Sequence, residues 1–208
     1  MTVFLGGAQP GCTLAELRQQ LQGRLSQLSD ADADSFINDA HREFHEHENW
    51  PWLQVQATGP TPLELSDLGR VEYVREVATN RELRYAERSW LVVQGYPDLT
   101  VTGTPAWWYR DGTGTIATLP VSTDDVEVTY WLEPSDLLAE DDQTASPKRY
   151  CPIILDWAYV KALQSRRDNP ELAASLRREI EARVQRVAWK VMRPSTEPTR
   201  IIMRAGGE

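Results

Sequence analysis

Apolar residues recur at helical spacing towards both ends of this chain and at alternate positions through its middle. Leu14, Leu17, Leu21, Leu25 and Leu28 line one face of a first helix, which opens on the capping-box pair Thr13 and Glu16. Phe36, Ile37, Ala40 and Phe44 give the buried side of a second, whose start is favoured by the carboxylates of Asp30, Asp32 and Asp34. Pro51 stops it, because the proline ring disfavours helical geometry in the preceding residue. Further on, Ile153, Ile154, Trp157, Val160 and Leu163 predict a helix over Cys151 to Arg167. Asn169-Pro170-Glu171 then supplies an N-cap, a proline at the first helical position and a first-turn acid. Leu172, Leu176, Ile180, Val184, Val187 and Val191 continue that last helix until Arg193-Pro194 ends it.

Between these helices the period falls to two, at Leu53 and Val55, Leu63 and Leu65, Val71 and Tyr73, Leu83 and Tyr85, Trp107 and Tyr109, and Val126 to Leu132. Short strands are expected, parted by turns such as Thr58-Gly59-Pro60-Thr61-Pro62 and Asp111-Gly112-Thr113-Gly114. The Asp-Gly turn predicts a hairpin joining Trp107 to Arg110 with Thr115 to Leu119. Glu87 to Tyr96 reads as a short helix or turn, and Pro134 to Lys148 as an exposed acidic connector.

Each flanking helical pair is apolar on one face only, so the two pairs are expected to close on each other. The fold class that follows is α+β: a four-helix bundle-like body with an inserted small antiparallel β module and an extended C-terminal tail. In residue terms, 1–50 and 148–193 form the body, 51–135 the module, 136–147 the connector and 194–208 the C-terminal arm. A chain of 208 residues can bury one good core and a small satellite. Its formal net charge of -9 argues against gripping a phosphate backbone. No apolar run is long enough to cross a bilayer and the first residues lack a basic flank, so a soluble protein made in the cytoplasm, without membrane partners, is expected. Cys12 and Cys151 have no metal-site spacing, and reduced thiols are expected.

Candidate chemistry is sparse. His41 and His45 stand one helical turn apart with His47 beyond, a weak suggestion of metal ligands. Arg42 follows the first histidine where a zincin helix needs Glu, and a solvated polar face accounts for all three rings. Asp111 to Thr115 lacks the lysine and the strand-to-helix setting of a phosphate-binding loop. No nucleophile has a histidine and a carboxylate in a recognisable elbow, so no catalysis and no cofactor are expected. Tryptophans, eight in all, offer a platform for sugars or bases, with Trp107 and Trp108 foremost, although filling a small core and contacting neighbouring subunits account better for them.

Ile37-Asn38-Asp39-Ala40-His41-Arg42-Glu43-Phe44, running into Trp50-Pro51-Trp52-Leu53, resembles the opening of the adaptor (head-to-tail connector) proteins of tailed bacteriophages. Gly103-Thr104-Pro105-Ala106-Trp107-Trp108-Tyr109, the run Val126 to Leu132 ending in Glu133-Pro134, and Tyr150-Cys151-Pro152 follow in the same order, so the resemblance spans about Thr13 to Met192. It implies a structural virion protein at the head–tail junction, forming a ring, commonly of twelve copies, between the portal and the tail or nozzle proteins. DNA would pass through the lumen without specific binding, which an acidic wall suits. Trp107, Trp108 and Tyr109 are candidate contacts to the tail or to a neighbouring subunit. Arg200, Ile201, Ile202, Met203 and Arg204 are candidate contacts to the portal or a neighbour, since a segment too short to fold alone can add as a strand to another chain's edge. The histidine-rich helix end and this tail depart from the family pattern. A rival reading is a carbohydrate-binding or tail-tip module using the exposed aromatics.

Overall fold

Local signals set the helices. The Thr13 side chain accepts from the Glu16 amide at 3.1 Å while the Glu16 carboxylate accepts from the Thr13 amide at 3.2 Å, and this capping box opens α1 (Leu14–Arg24). Ser29 caps α2 (Asp30–Glu46). Pro170 begins α5 (Pro170–Met192), where the Asn169 side chain accepts from the Leu172 amide at 3.1 Å, and α4 (Cys151–Arg166) precedes it. The ambiguous stretch after Tyr85 holds a short helix, α3 (Arg88–Val93). This computed structural model describes residues 2–5, 11–96, 99–112, 114–167 and 169–192, the first stretch by its backbone alone.

The strands are β1 (Thr2–Leu5), β2 (Gln54–Pro60), β3 (Leu63–Glu64), β4 (Leu68–Glu76), β5 (Arg81–Tyr85), β6 (Trp107–Asp111), β7 (Thr115–Leu119) and β8 (Asp125–Leu132). All eight join one sheet in the order β1-β2-β8-β4-β5-β6-β7-β3. The predicted hairpin is present as β6 and β7, antiparallel with Trp107 opposite Leu119, and Gly112 in its turn takes a φ of 71°. β5 and β6, however, run parallel, with Tyr85 beside Trp108. β2 and β3 stand second and last in the order yet follow each other in sequence across Thr61-Pro62, so the sheet curls until its two margins nearly meet. Val55, Leu63, Val74, Leu83, Ile116 and Val128, one from each of six strands, accordingly share one apolar interior.

The expected four-helix-bundle body with a small antiparallel insert is therefore overturned. The protein is mixed: among the described residues, five α-helices stand beside an eight-stranded, almost closed sheet that carries its own core and includes a parallel pair. The strands failed to add up in sequence because their partners are remote. β8 lies between β2 and β4, and the pairing of β4 with β8 slips past Gly69 and Glu72, which moves burial off Val71 and Tyr73 and onto Leu68 and Val74. A second apolar cluster gathers Leu17, Ile37, Phe44, Ile154, Trp157 and Val184 from α1, α2, α4 and α5. On α5 the buried stripe starts at Ala173, and Leu172 faces outward. Leu132 at the end of β8 touches both clusters, fastening the sheet to the helices.

Cys12 and Cys151 form a disulfide, with Cα atoms 6.1 Å apart, in place of the expected free thiols. They meet because each opens a helix, α1 or α4, and both starts converge on Thr144, whose hydroxyl accepts from the Cys12 amide at 3.2 Å and lies 3.8 Å from the Cys151 sulfur. The C-terminal arm 194–208 lies outside the described residues.

Candidate functional site

The acidic connector is a strap laid across the helices, with Leu137, Thr144 and Ser146 buried beneath it. The first amides of a helix have no partner within it. Here the strap supplies them, since the Leu14 amide donates to the Asp142 carbonyl at 2.9 Å and the Ala15 amide to the Glu140 carbonyl at 3.1 Å. From α2, Asn38 grips both backbone groups of Leu137, accepting from its amide at 2.7 Å and donating to its carbonyl at 3.0 Å. Arg42 pairs with Asp136 at 2.9 Å. Asp142 folds back to accept from the Leu138 and Ala139 amides, which hold its carboxyl below the ordinary carboxylate range.

His41 and His45 belong to this clasp, not to a solvated face. Both are buried, His41 at 1% exposure and His45 at 5%, with ring centroids 4.4 Å apart. His41 Nε2 accepts from the Ala145 amide at 3.2 Å. His45 Nδ1 lies 2.7 Å from the His41 carbonyl, which can only accept, so the proton sits on Nδ1 and Nε2 is a bare acceptor. Burial pushes His41 down to about 4, with Asp136 opposing and Arg42 assisting. Burial also pushes His45 down to about 3, helped by the neighbouring His41 ring and opposed by the hydrogen bond to the His41 carbonyl. The strap amide occupies Nε2 of His41, and among the described residues no three His, Cys, Asp or Glu side chains cluster to hold an ion.

Next to the clasp, aromatic rings stack in series. Phe44 and Trp50 have centroids 4.9 Å apart, Trp50 and Trp52 4.8 Å, and Trp52 and Tyr150 5.0 Å. Trp50 also donates its indole hydrogen to the Phe44 carbonyl at 2.8 Å. Two sequence features far apart in the chain, Trp50-Pro51-Trp52 and Tyr150-Cys151-Pro152, thus meet in one stack.

The three aromatics singled out on β6 are divided by the fold. Trp108 packs in the sheet interior, and Tyr109 is buried beside Leu91, Leu99 and Leu119. Trp107 is half-buried and, with Tyr85 and Trp90, lines an open cleft of about 480 Å³. Tyr85 at 58% and Trp90 at 44% exposure are the aromatics presented to solvent there. Alternation placed Tyr85 inward, but β5 has one buried residue, Leu83. Arg200 to Arg204 lie outside the described residues. Asn38, which sequence reasoning had not marked as functional, carries the strap; its signal was its place one turn before His41 on a helix assigned a polar outer face.

The family comparison defines the class, a structural adaptor of tailed bacteriophages. Residues 13–201 match the model of the SU10 adaptor protein family, and the chain belongs to that family. Its place is the head–tail junction of the virion, in contact with other head or tail proteins. No curated protein matches the chain. Among the described residues no helix is long and apolar enough to cross a membrane.

Proposed function

We propose that copies of this protein, twelve in number, close into a ring between the portal and the tail, giving tail or nozzle proteins a docking platform and the genome a channel. Family membership over residues 13–201 carries this reading, because the match takes in both the helical cluster and the curled sheet. The net charge of -9 supports it, since an acidic wall lets phosphates pass without holding them. The protein assembles in the host cytoplasm, performs no catalysis, and uses Arg200 to Arg204 against the portal or a neighbouring copy. Trp107, at the edge of the aromatic cleft, faces the tail or an adjacent subunit. Electron microscopy of the purified protein, alone and with its portal, tests the proposal: a closed ring with a central channel is expected, and particles of monomer size in both samples would overturn it.

The cleft of Tyr85, Trp90 and Trp107 supports a second reading, a carbohydrate-binding or tail-tip module, because exposed rings stack on sugar faces. Glycan-array binding that disappears on Trp90→Ala is its expected signature; an array without signal removes it.

A further inference from the structure

Between the end of α2 and the paired strands β4 and β8 lies a second cleft, of about 310 Å³. The β-bulge shapes it. Gly69 is the residue skipped by the β4–β8 register, and a Cβ there would sit 2.6 Å from the Trp131 carbonyl oxygen, so the backbone approaches where only glycine fits.

Two groups lining this cleft have buried polar atoms without a hydrogen-bond partner among the described residues, His45 Nε2 and Trp131 Nε1. They are complementary in kind. The hydrogen bond to the His41 carbonyl makes His45 Nε2 an acceptor, whereas an indole nitrogen can only donate. Buried polar atoms are normally satisfied. Both atoms are closed off from solvent in the empty cleft, and a peptide group carries both complements, an N–H for His45 and a C=O for Trp131.

The remaining lining narrows the ligand. Leu53 and Leu132 give aliphatic wall, suited to aliphatic side chains. At the rim, with Arg42 engaged by Asp136 and Asp39 and Glu48 lying 3.8 Å from His47, Glu46 and Glu133 stand against Arg70. The excess of carboxylates calls for basic residues flanking the aliphatic ones. Beyond Met192 the chain continues for residues 193–208 and carries that pattern in Arg200-Ile201-Ile202-Met203-Arg204. From Met192 to Arg200 an extended backbone can span about 26 Å.

We infer that this cleft is the receptor for the Arg200–Arg204 segment of a neighbouring copy, so that each subunit of the proposed ring grips the arm of the next; the inference rests on the ring reading. A contact of this head-to-tail kind repeats around a closed ring. The arm's peptide backbone fills the His45–Trp131 pair, Ile201 to Met203 lie along Leu53 and Leu132, and the arginines meet the rim carboxylates.

The test uses the full chain with a photo-crosslinking amino acid at Ile202, as an equal mixture of ordinary and isotope-labelled protein. Crosslinks between copies to peptides containing Leu53, Arg70 or Leu132 are expected. Paired Glu46→Lys and Glu133→Lys changes should cut their yield at least tenfold, and Arg200→Glu with Arg204→Glu should restore it. The indole N–H resonance of Trp131 should move in full-length Ile202→Asp protein. Crosslinks confined to other surfaces, or formed within single copies, overturn the inference even if microscopy shows rings. Particles of monomer size throughout overturn the ring reading and the inference together.

Discussion

Lowering the pH from 8 to 5 tests whether His41 and His45 are the buried, neutral fastening described here. In the unfolded chain an imidazole takes up its proton near pH 6.5, while in the fold His41 stays neutral down to about 4 and His45 down to about 3. Between those limits the unfolded state binds more protons, so stability is complete above about 6.5 and is lost as pH falls below it. Both folded values lie under 5, so at pH 5 the loss is set mainly by the distance from 6.5 to 5. That is roughly 2 kcal/mol for each ring and roughly 4 kcal/mol for the pair. Against a typical total of about 5–15 kcal/mol the effect is large.

Urea denaturation followed by tryptophan fluorescence at fixed ionic strength, every half unit from pH 8 to pH 5, measures it. Glu16 and Asp142, whose carboxyls are held low by Lys148 and by the Ala139 and Leu138 amides respectively, lose their contribution only at more acidic pH, outside this window. A full-length variant carrying His41→Gln and His45→Asn keeps an acceptor for the Ala145 amide and a donor to the residue-41 carbonyl but cannot titrate. Its stability should be nearly flat over the same range. A wild-type loss below about 1 kcal/mol, or an equal loss in the double variant, would refute the reasoning.

Reducing the Cys12–Cys151 disulfide, which spans a sequence separation of 139, removes up to about 5 kcal/mol in the loop-entropy account and should lower Tm by about 10–20 °C in a calorimeter, with Cys12→Ser reproducing the shift. Trp50→Ala, at a side chain with 0% exposure inside the aromatic stack, should cost about 3–5 kcal/mol by urea denaturation. Thr13→Ala breaks half of the capping box and should cost about 1 kcal/mol, seen as a lower urea midpoint with the slope unchanged. Deleting Ser195 to Glu208 should leave a folded subunit by circular dichroism that no longer closes into rings by electron microscopy; undiminished ring closure would separate the arm from the contact between copies.

Helices were legible because their determinants are local. Thr13 and Glu16 stand three residues apart, Asn169 is adjacent to Pro170, and Ile153, Ile154, Trp157, Val160 and Leu163 all prove buried as their spacing required. The β6–β7 hairpin was legible for the same reason, its turn chemistry lying between its strands. The sheet as a whole was not. β8 inserts between strands that begin about seventy and fifty-five residues earlier, β5 and β6 meet in parallel across an intervening helix, and two skipped residues shift the inward face of β4. Alternation shows that strands exist but does not say which ones are neighbours, and here neighbour choice turned an insert into an almost closed sheet.

The clasp was illegible for a related reason. Asn38, His41 and Arg42 look in sequence like the wet side of an amphipathic helix, and the apolar stripe through Ile37 and Phe44 fixes only which side faces the other helices. What turned the polar side inward is a segment about one hundred residues away, whose backbone, from Leu137 to Ala145, had hydrogen-bonding groups to satisfy and found Asn38 and His41 positioned to do so. A buried histidine and a buried backbone amide each solve the other's desolvation, so neither residue marks the site alone. The cleft shows the same logic in a form still open on one side: His45 uses one nitrogen within α2 and Trp131 places its indole on the opposing strand, leaving an acceptor and a donor that no described residue satisfies.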